Sequence, residues 1–186
     1  MKLIASDLDG TLLLNRCMQV SDKMFQLIEA FRKQGVLFCA ASGRQYNSLF
    51  APVADDLLYV CENGAIVFYK GQVLGKTSIP HENALAICRS ILAQPNCEVL
   101  ISGERTSYLL PKHEDYVDHI RYFVGNHVTI VPSLEAIPEE ILKVSAFCRD
   151  GAVNYEECLG QAWKKHMNVA VSGRRWLDFT VAGKED

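Results

Sequence analysis

The segment Asp7-Leu8-Asp9-Gly10-Thr11-Leu12 sets two carboxylates two residues apart, directly behind the short apolar run Leu3-Ile4-Ala5. Two such anions about 4 Å apart repel by about 4 kcal/mol at an effective dielectric near 20, so the pair calls for a cation. A site offering only oxygen donors suits a hard ion such as Mg2+, which also takes phosphate oxygens from a substrate. One carboxylate can act as a nucleophile and form an acyl phosphate, while its neighbour serves as acid and then as base. Gly10 lets the backbone come close to an anion, and the amide or hydroxyl of Thr11 can donate to it. A turn in which the aspartates cap a loop explains the same residue types. On residue chemistry alone both readings stand.

The elements around this segment favour a crevice. Residues 2–8 read as a buried strand that stops at the carboxylates. Met24, Leu27, Ile28 and Phe31 then recur at helical spacing, with Ser21 placed to cap the helix and Gly35 to end it. Val36 to Ala41 is a second apolar run, which ends in Ser42-Gly43-Arg44. Strand, helix and strand with uniformly apolar strands predict a parallel sheet covered on both faces, and such sheets bind ligands beyond their carboxyl edge. Leu57 to Cys61 and Ile66 to Tyr69 flank Glu62-Asn63-Gly64-Ala65, whose Asn-Gly pair predicts a hairpin.

The rhythm changes near Pro80. Ala84, Leu85, Cys88, Ile91 and Leu92 form one helical stripe, followed by short runs at 97–101 and 106–110. Tyr116, Val117, Ile120, Phe123 and Val124 form a second stripe, followed by runs near 128–131 and 142–147. A weaker helix over 153–163 precedes runs at 167–172 and 175–181. Recurring helices and paired strands predict an α+β unit with a largely antiparallel sheet.

Composition removes several functions. The 186 residues are 49% apolar, enough to bury a core, and 19 Lys+Arg against 22 Asp+Glu leave a net charge of −3. A nucleic-acid partner would need a basic excess, and Lys164-Lys165 and Arg174-Arg175 are too short to supply one. Seven cysteines without a Cys-x-x-Cys spacing fit a reducing compartment and no zinc site. Asp7 comes too early for a signal peptide, and no run approaches the roughly 18 apolar residues of a membrane span. The expectation is a cytoplasmic protein with no membrane partner; the oligomeric state is open. His113, His119, His127 and His166 lack metal-ligand spacing. Tyr155, Trp163 and Trp176 read as core, and Glu104, Arg105 and Lys112 lie near strand ends where they could face a substrate.

Asp7-Leu8-Asp9-Gly10-Thr11-Leu12 resembles the first motif of the haloacid dehalogenase superfamily, and Ser42-Gly43-Arg44 resembles its second. Glu62-Asn63-Gly64-Ala65 resembles the Asn-Gly-Ala hairpin of the Cof-like branch, which inserts a large α+β cap after it. The resemblance implies an α/β fold: a three-layer, Rossmann-like parallel-sheet core over residues 1–80 and an inserted α+β cap over 81–180. It implies a Mg2+-dependent phosphatase of small phosphorylated metabolites such as sugar phosphates. Asp7 would be the nucleophile and Asp9 the acid and base, the two together holding Mg2+, Asp9 through its backbone carbonyl. Thr11, Ser42, Gly43 and Arg44 would bind the substrate phosphoryl group.

The family also has a third motif, a Lys opening a helix, and an acidic fourth motif. Residues 181–186 read as the start of a return to the core, with the remainder absent, and Lys184 is the residue nearest to the third motif. The departure sets up two rivals: a catalytically impaired remnant that binds a ligand or partner, and a phosphoacceptor module that is phosphorylated on Asp7 but turns over slowly.

Overall fold

The computed structural model describes residues 2–13, 20–49 and 57–182. The chain divides into two compact units, Met1–Lys76 and Thr77–Asp186.

The first unit is a five-stranded sheet in the order β1 (Lys2–Asp7), β2 (Val36–Ala41), β3 (Leu58–Cys61), β4 (Ile66–Tyr69), β5 (Gln72–Lys76). The first three strands are parallel, and the last two reverse direction. Helix α1 (Asp22–Lys33) links β1 to β2. Its start is fixed by Ser21, whose hydroxyl accepts from Met24 N at 3.3 Å, and Gly35 follows the C-cap at a left-handed φ of 73°. The Asn-Gly hairpin joins β3 to antiparallel β4 as the sequence predicts. Strand β5 is mostly exposed and lacks an apolar run to mark it in the sequence. Lys70 (φ 51°) and Gly71 (φ 71°) form a tight left-handed turn that folds it back on β4.

Register does the positioning. Asp7 lies opposite Ala41, and Ala41 opposite Val60, so the three parallel strands end level with one another. The loops that follow them leave the same edge of the sheet. Beneath them Tyr46 stacks on Phe68 at 4.0 Å and meets Tyr59 edge-on at 5.5 Å, all three buried.

The expectation of a buried first strand needs correction. β1 pairs with β2 alone among the described residues and is the sheet's edge, with Leu3 53% exposed. An apolar run marks a strand but does not say how many neighbours it will have.

The second unit is a six-stranded sheet in the order β10 (Met167–Gly173), β11 (Trp176–Val181), β9 (Lys143–Cys148), β6 (Cys97–Ser102), β7 (Ser107–Leu109), β8 (Val128–Ile130). Every pair is antiparallel except β7 with β8. Helix α2 (His81–Leu92) and the short α4 (Glu156–Gly160) cover Val99, Ile101, Val144, Ala146, Leu177 and Phe179. Helix α3 (Glu114–Asp118) packs Tyr116 and Val117 on Leu100, Leu109 and Phe147. The mixed α/β class follows from these two sheets.

Two helices differ from their periodicity. Helix α3 widens into a π-turn over His119–Val124, which takes Phe123 out of phase and leaves it 76% exposed. The helix expected over 153–163 is one α-turn with tight turns on either side. There Gly160 lets Val169 approach closely.

Candidate active site

Asp7 ends β1, and its carboxylate is exposed and makes no hydrogen bond or ion pair among the described residues. The chain then turns. Leu8 is fully buried and anchors the turn, in which Thr11 N and Leu13 N donate to Leu8 O and Gly10 N donates to Leu13 O. Gly10 has φ 85°, so glycine is needed for its left-handed backbone rather than for close approach, since nothing lies near where a Cβ would be. The Thr11 amide is engaged within the turn, which removes it as a donor to an anion; its exposed side chain is not so engaged.

The loop after β2 delivers Ser42, Gly43 and Arg44 to Asp9. Ser42 is buried; its Oγ donates to Asp9 Oδ2 at 3.4 Å and accepts from Arg44 N at 3.2 Å. Arg44 grips the same carboxylate with both ends of its fork, Nη2 to Oδ1 at 2.6 Å and Nε to Oδ2 at 3.0 Å. Asp9, more than thirty residues from Ser42 and Arg44 in the chain, is thus brought together with them at the carboxyl edge.

The loop after β3 holds this arrangement in place. Glu62 N donates to Arg44 O at 3.2 Å, and Asn63 N donates to Ser42 O at 3.4 Å. Glu62, Asn63 and Gly64 all have positive φ (52°, 57° and 93°), two strained residues followed by a glycine that takes this backbone freely, beside the site. A Cβ on residue 43 would collide with Asn63 Oδ1, so a larger residue there would have to push the Asn63 side chain aside. The sequence flagged Asn63 only as part of a hairpin. Its contact with Gly43 is tertiary, and the Asn-Gly pair was the sole signal for it.

The fit to Mg2+ can be tested on these donors. No group of three or more His, Cys, Asp or Glu side chains is placed to hold a metal ion among the described residues. Asp7 offers an unengaged carboxylate, and the hydrogen bonds of the turn pass over the Asp9 carbonyl. A small hard ion that keeps several waters and takes one or two protein oxygens plus substrate phosphate suits this set. The Asp9 side chain does not join it, because both of its oxygens face Arg44. Lys184 lies outside the described residues.

Other candidates serve the second unit. Lys112 Nζ donates to Gln94 O at 2.5 Å and Cys97 O at 2.8 Å, and Arg105 pairs with Glu104 at 3.6 Å. Tyr155 and Trp163 pack against one core cluster and Trp176 against the other, as their types suggest. An unforeseen group surrounds Glu98 on β6, which is fully buried. It accepts from Lys112 N at 2.9 Å and lies 2.7 Å from His113 Nδ1 and 3.3 Å from Arg149 Nη2. Arg149 in turn holds Asp115 at 2.8 and 2.9 Å and keeps its carboxyl below the usual range. No described helix is long and apolar enough to cross a membrane.

Residues 4–184 match the family model of the haloacid dehalogenase-like hydrolases. The 5-amino-6-(5-phospho-D-ribitylamino)uracil phosphatase YbjI of Escherichia coli is 23% identical over 186 residues, covering 98% of this chain and 69% of its own length. A crystal structure from Eubacterium rectale superposes with a TM-score of 0.85 at 24% identity, over 98% of this chain and 71% of that one. A haloacid dehalogenase subclass IIB sugar phosphatase superposes with a TM-score of 0.78 at 21% identity, over 98% and 71%. At these identities the solved structures bear on the fold.

Proposed function

This chain belongs to the haloacid dehalogenase-like hydrolases, and from that footing we propose that it is a Mg2+-dependent phosphatase of small phosphorylated metabolites such as sugar phosphates. The observation that carries the reading is the pairing of an unengaged Asp7 carboxylate with an Asp9 carboxylate reached by Ser42 and Arg44, at the level carboxyl edge of three parallel strands. The named activity of the Escherichia coli relative points to the same class of ester. In this reading residues 1–80 form the core and 81–180 the cap.

Asp7 attacks phosphorus and the bond to the ester oxygen breaks, leaving an aspartyl phosphate on Asp7. Asp9 gives a proton to the departing oxygen. It then takes one from the water that attacks the aspartyl phosphate, which releases phosphate and restores Asp7. Ser42 Oγ and the Thr11 hydroxyl donate to the phosphoryl oxygens, and Gly43 leaves room for them. The Asp7 carboxylate and the Asp9 carbonyl would hold Mg2+, which when bound would supply positive charge against the negative charge gathering on the phosphoryl group.

The test is Asp7→Asn, assayed with p-nitrophenyl phosphate and a panel of sugar phosphates in Mg2+. Asn keeps the shape but cannot form the acyl phosphate, so kcat should fall below about one per cent of wild type. Retention of more than a few per cent with an unchanged circular dichroism spectrum would remove Asp7 from the nucleophile's place.

A further inference from the structure

Ser42, which the proposed reaction directs at a phosphoryl group, and Arg44, which the family resemblance assigns to the same group, are here both turned onto Asp9. Oδ1 accepts from Arg44 Nη2 at 2.6 Å; Oδ2 accepts from Arg44 Nε at 3.0 Å and from Ser42 Oγ at 3.4 Å. We propose that this is an exchange contact: a phosphate dianion takes Asp9's place on the Arg44 fork, and Asp9 is released from it. The proposal rests on the phosphatase reading and adds to it the order of events at the site.

Three features support it. The guanidinium fork matches a carboxylate and a phosphate equally well, with two parallel N–H···O bonds to either. The pair is also placed to break. The Arg44 side chain is 24% exposed and the Asp9 side chain 51%, so solvent screens their attraction, unlike that of a buried pair. The frame beneath them is stiff: Arg44 N bonds Ser42 Oγ, Arg44 O accepts from Glu62 N, and Asp9 sits in its own closed turn. Exchange therefore needs only side-chain rotation. A doubly charged phosphate competes for the fork against a singly charged carboxylate, and afterwards Arg44 no longer neutralises the acid but its target.

The test is the affinity for inorganic phosphate in the presence of Mg2+, measured by 31P NMR titration on wild type, Asp9→Asn, Arg44→Gln and the double variant. Removing the Asp9 charge relieves repulsion in any background, so the coupling between the two positions is the quantity to read. With Arg44 present, Asp9→Asn should tighten phosphate about tenfold; in Arg44→Gln it should do so no more than about twofold. Equal tightening in both backgrounds overturns the exchange, and so does failure of all four proteins to bind phosphate. If Arg44→Gln does not fold, Arg44→Lys keeps the charge without the fork and should give a coupling between these two values; a coupling equal to wild type overturns the proposal. Turnover separates this proposal from the one before it. Coupling without hydrolysis of p-nitrophenyl phosphate leaves the exchange standing and defeats the phosphatase reading, whereas hydrolysis without coupling does the reverse.

Discussion

Replacing Glu98 by Gln should destabilise the second unit by an amount the geometry allows to be estimated. Both carboxylate oxygens are in use: Oε2 by Lys112 N, Oε1 by His113 Nδ1 and Arg149 Nη2. The amide has one acceptor and one donor end. With its oxygen kept toward Arg149 and His113, its NH2 faces the Lys112 N–H, and a half-buried backbone donor loses its partner at a cost toward the lower end of about 1–3 kcal/mol. The lost charge opposite Arg149 adds less than the removal of a buried partner usually does, because Arg149 keeps Asp115 at 2.8 and 2.9 Å. A total near 2 kcal/mol results, and an m-value of about 2 kcal/mol/M would move the urea midpoint down by about 1 M. Both tryptophans of the chain, Trp163 and Trp176, lie in the second unit, so their fluorescence follows its unfolding selectively. Asp115→Asn is the control. Its side chain is 67% exposed, so solvent screens its pair with Arg149 and the change should cost clearly less than Glu98→Gln. A Glu98→Gln loss below that of Asp115→Asn, or below about 0.5 kcal/mol, would refute the reasoning that burial and three donors set the cost.

Three further outcomes are expected. Gly43→Ala should push Asn63 aside and lower phosphatase kcat/KM about tenfold, with the unfolding midpoint moved by less than about 1 kcal/mol; trimming the obstacle with Asn63→Ala should recover part of it. Burial, aided by Arg175, holds His119 below its usual pKa of 6.5, so the unfolded chain binds that proton more readily. This stability contribution is complete above about pH 6.5 and shrinks as the pH falls below it; wild type should therefore lose more stability between pH 7 and 5.5 than His119→Gln, and equal slopes would contradict the shift. Of the described cysteines only Cys158 is exposed, and burial pushes the Cys88 thiol up to about 12. In a Cys17→Ser background one thiol should react promptly with a thiol reagent and the others only in urea; rapid reaction of a second would show the buried positions open.

Features that depend on neighbours in the chain were legible from residue types and spacing. Carboxylates two residues apart, a glycine behind them, a second apolar run ending in Ser42-Gly43-Arg44, and an Asn-Gly turn all lie within local segments. Local chemistry and periodicity therefore located β1, α1, β2 and the β3–β4 hairpin. The same locality explains the misses: β5 hung on the left-handed turn at Lys70-Gly71, and the π-turn broke the period that carried Phe123. Which group each of these residues meets depends instead on the folded arrangement. Parallel register, set by hydrogen bonds between strands far apart in the chain, brings Arg44 onto Asp9 and Asn63 onto Gly43. The edge position of β1 and the burial of Glu98 are likewise set by which strands and helices pack beside them. Composition and spacing carry no record of such distant neighbours, because the free energy that selects them comes from burial and pairing across the whole fold.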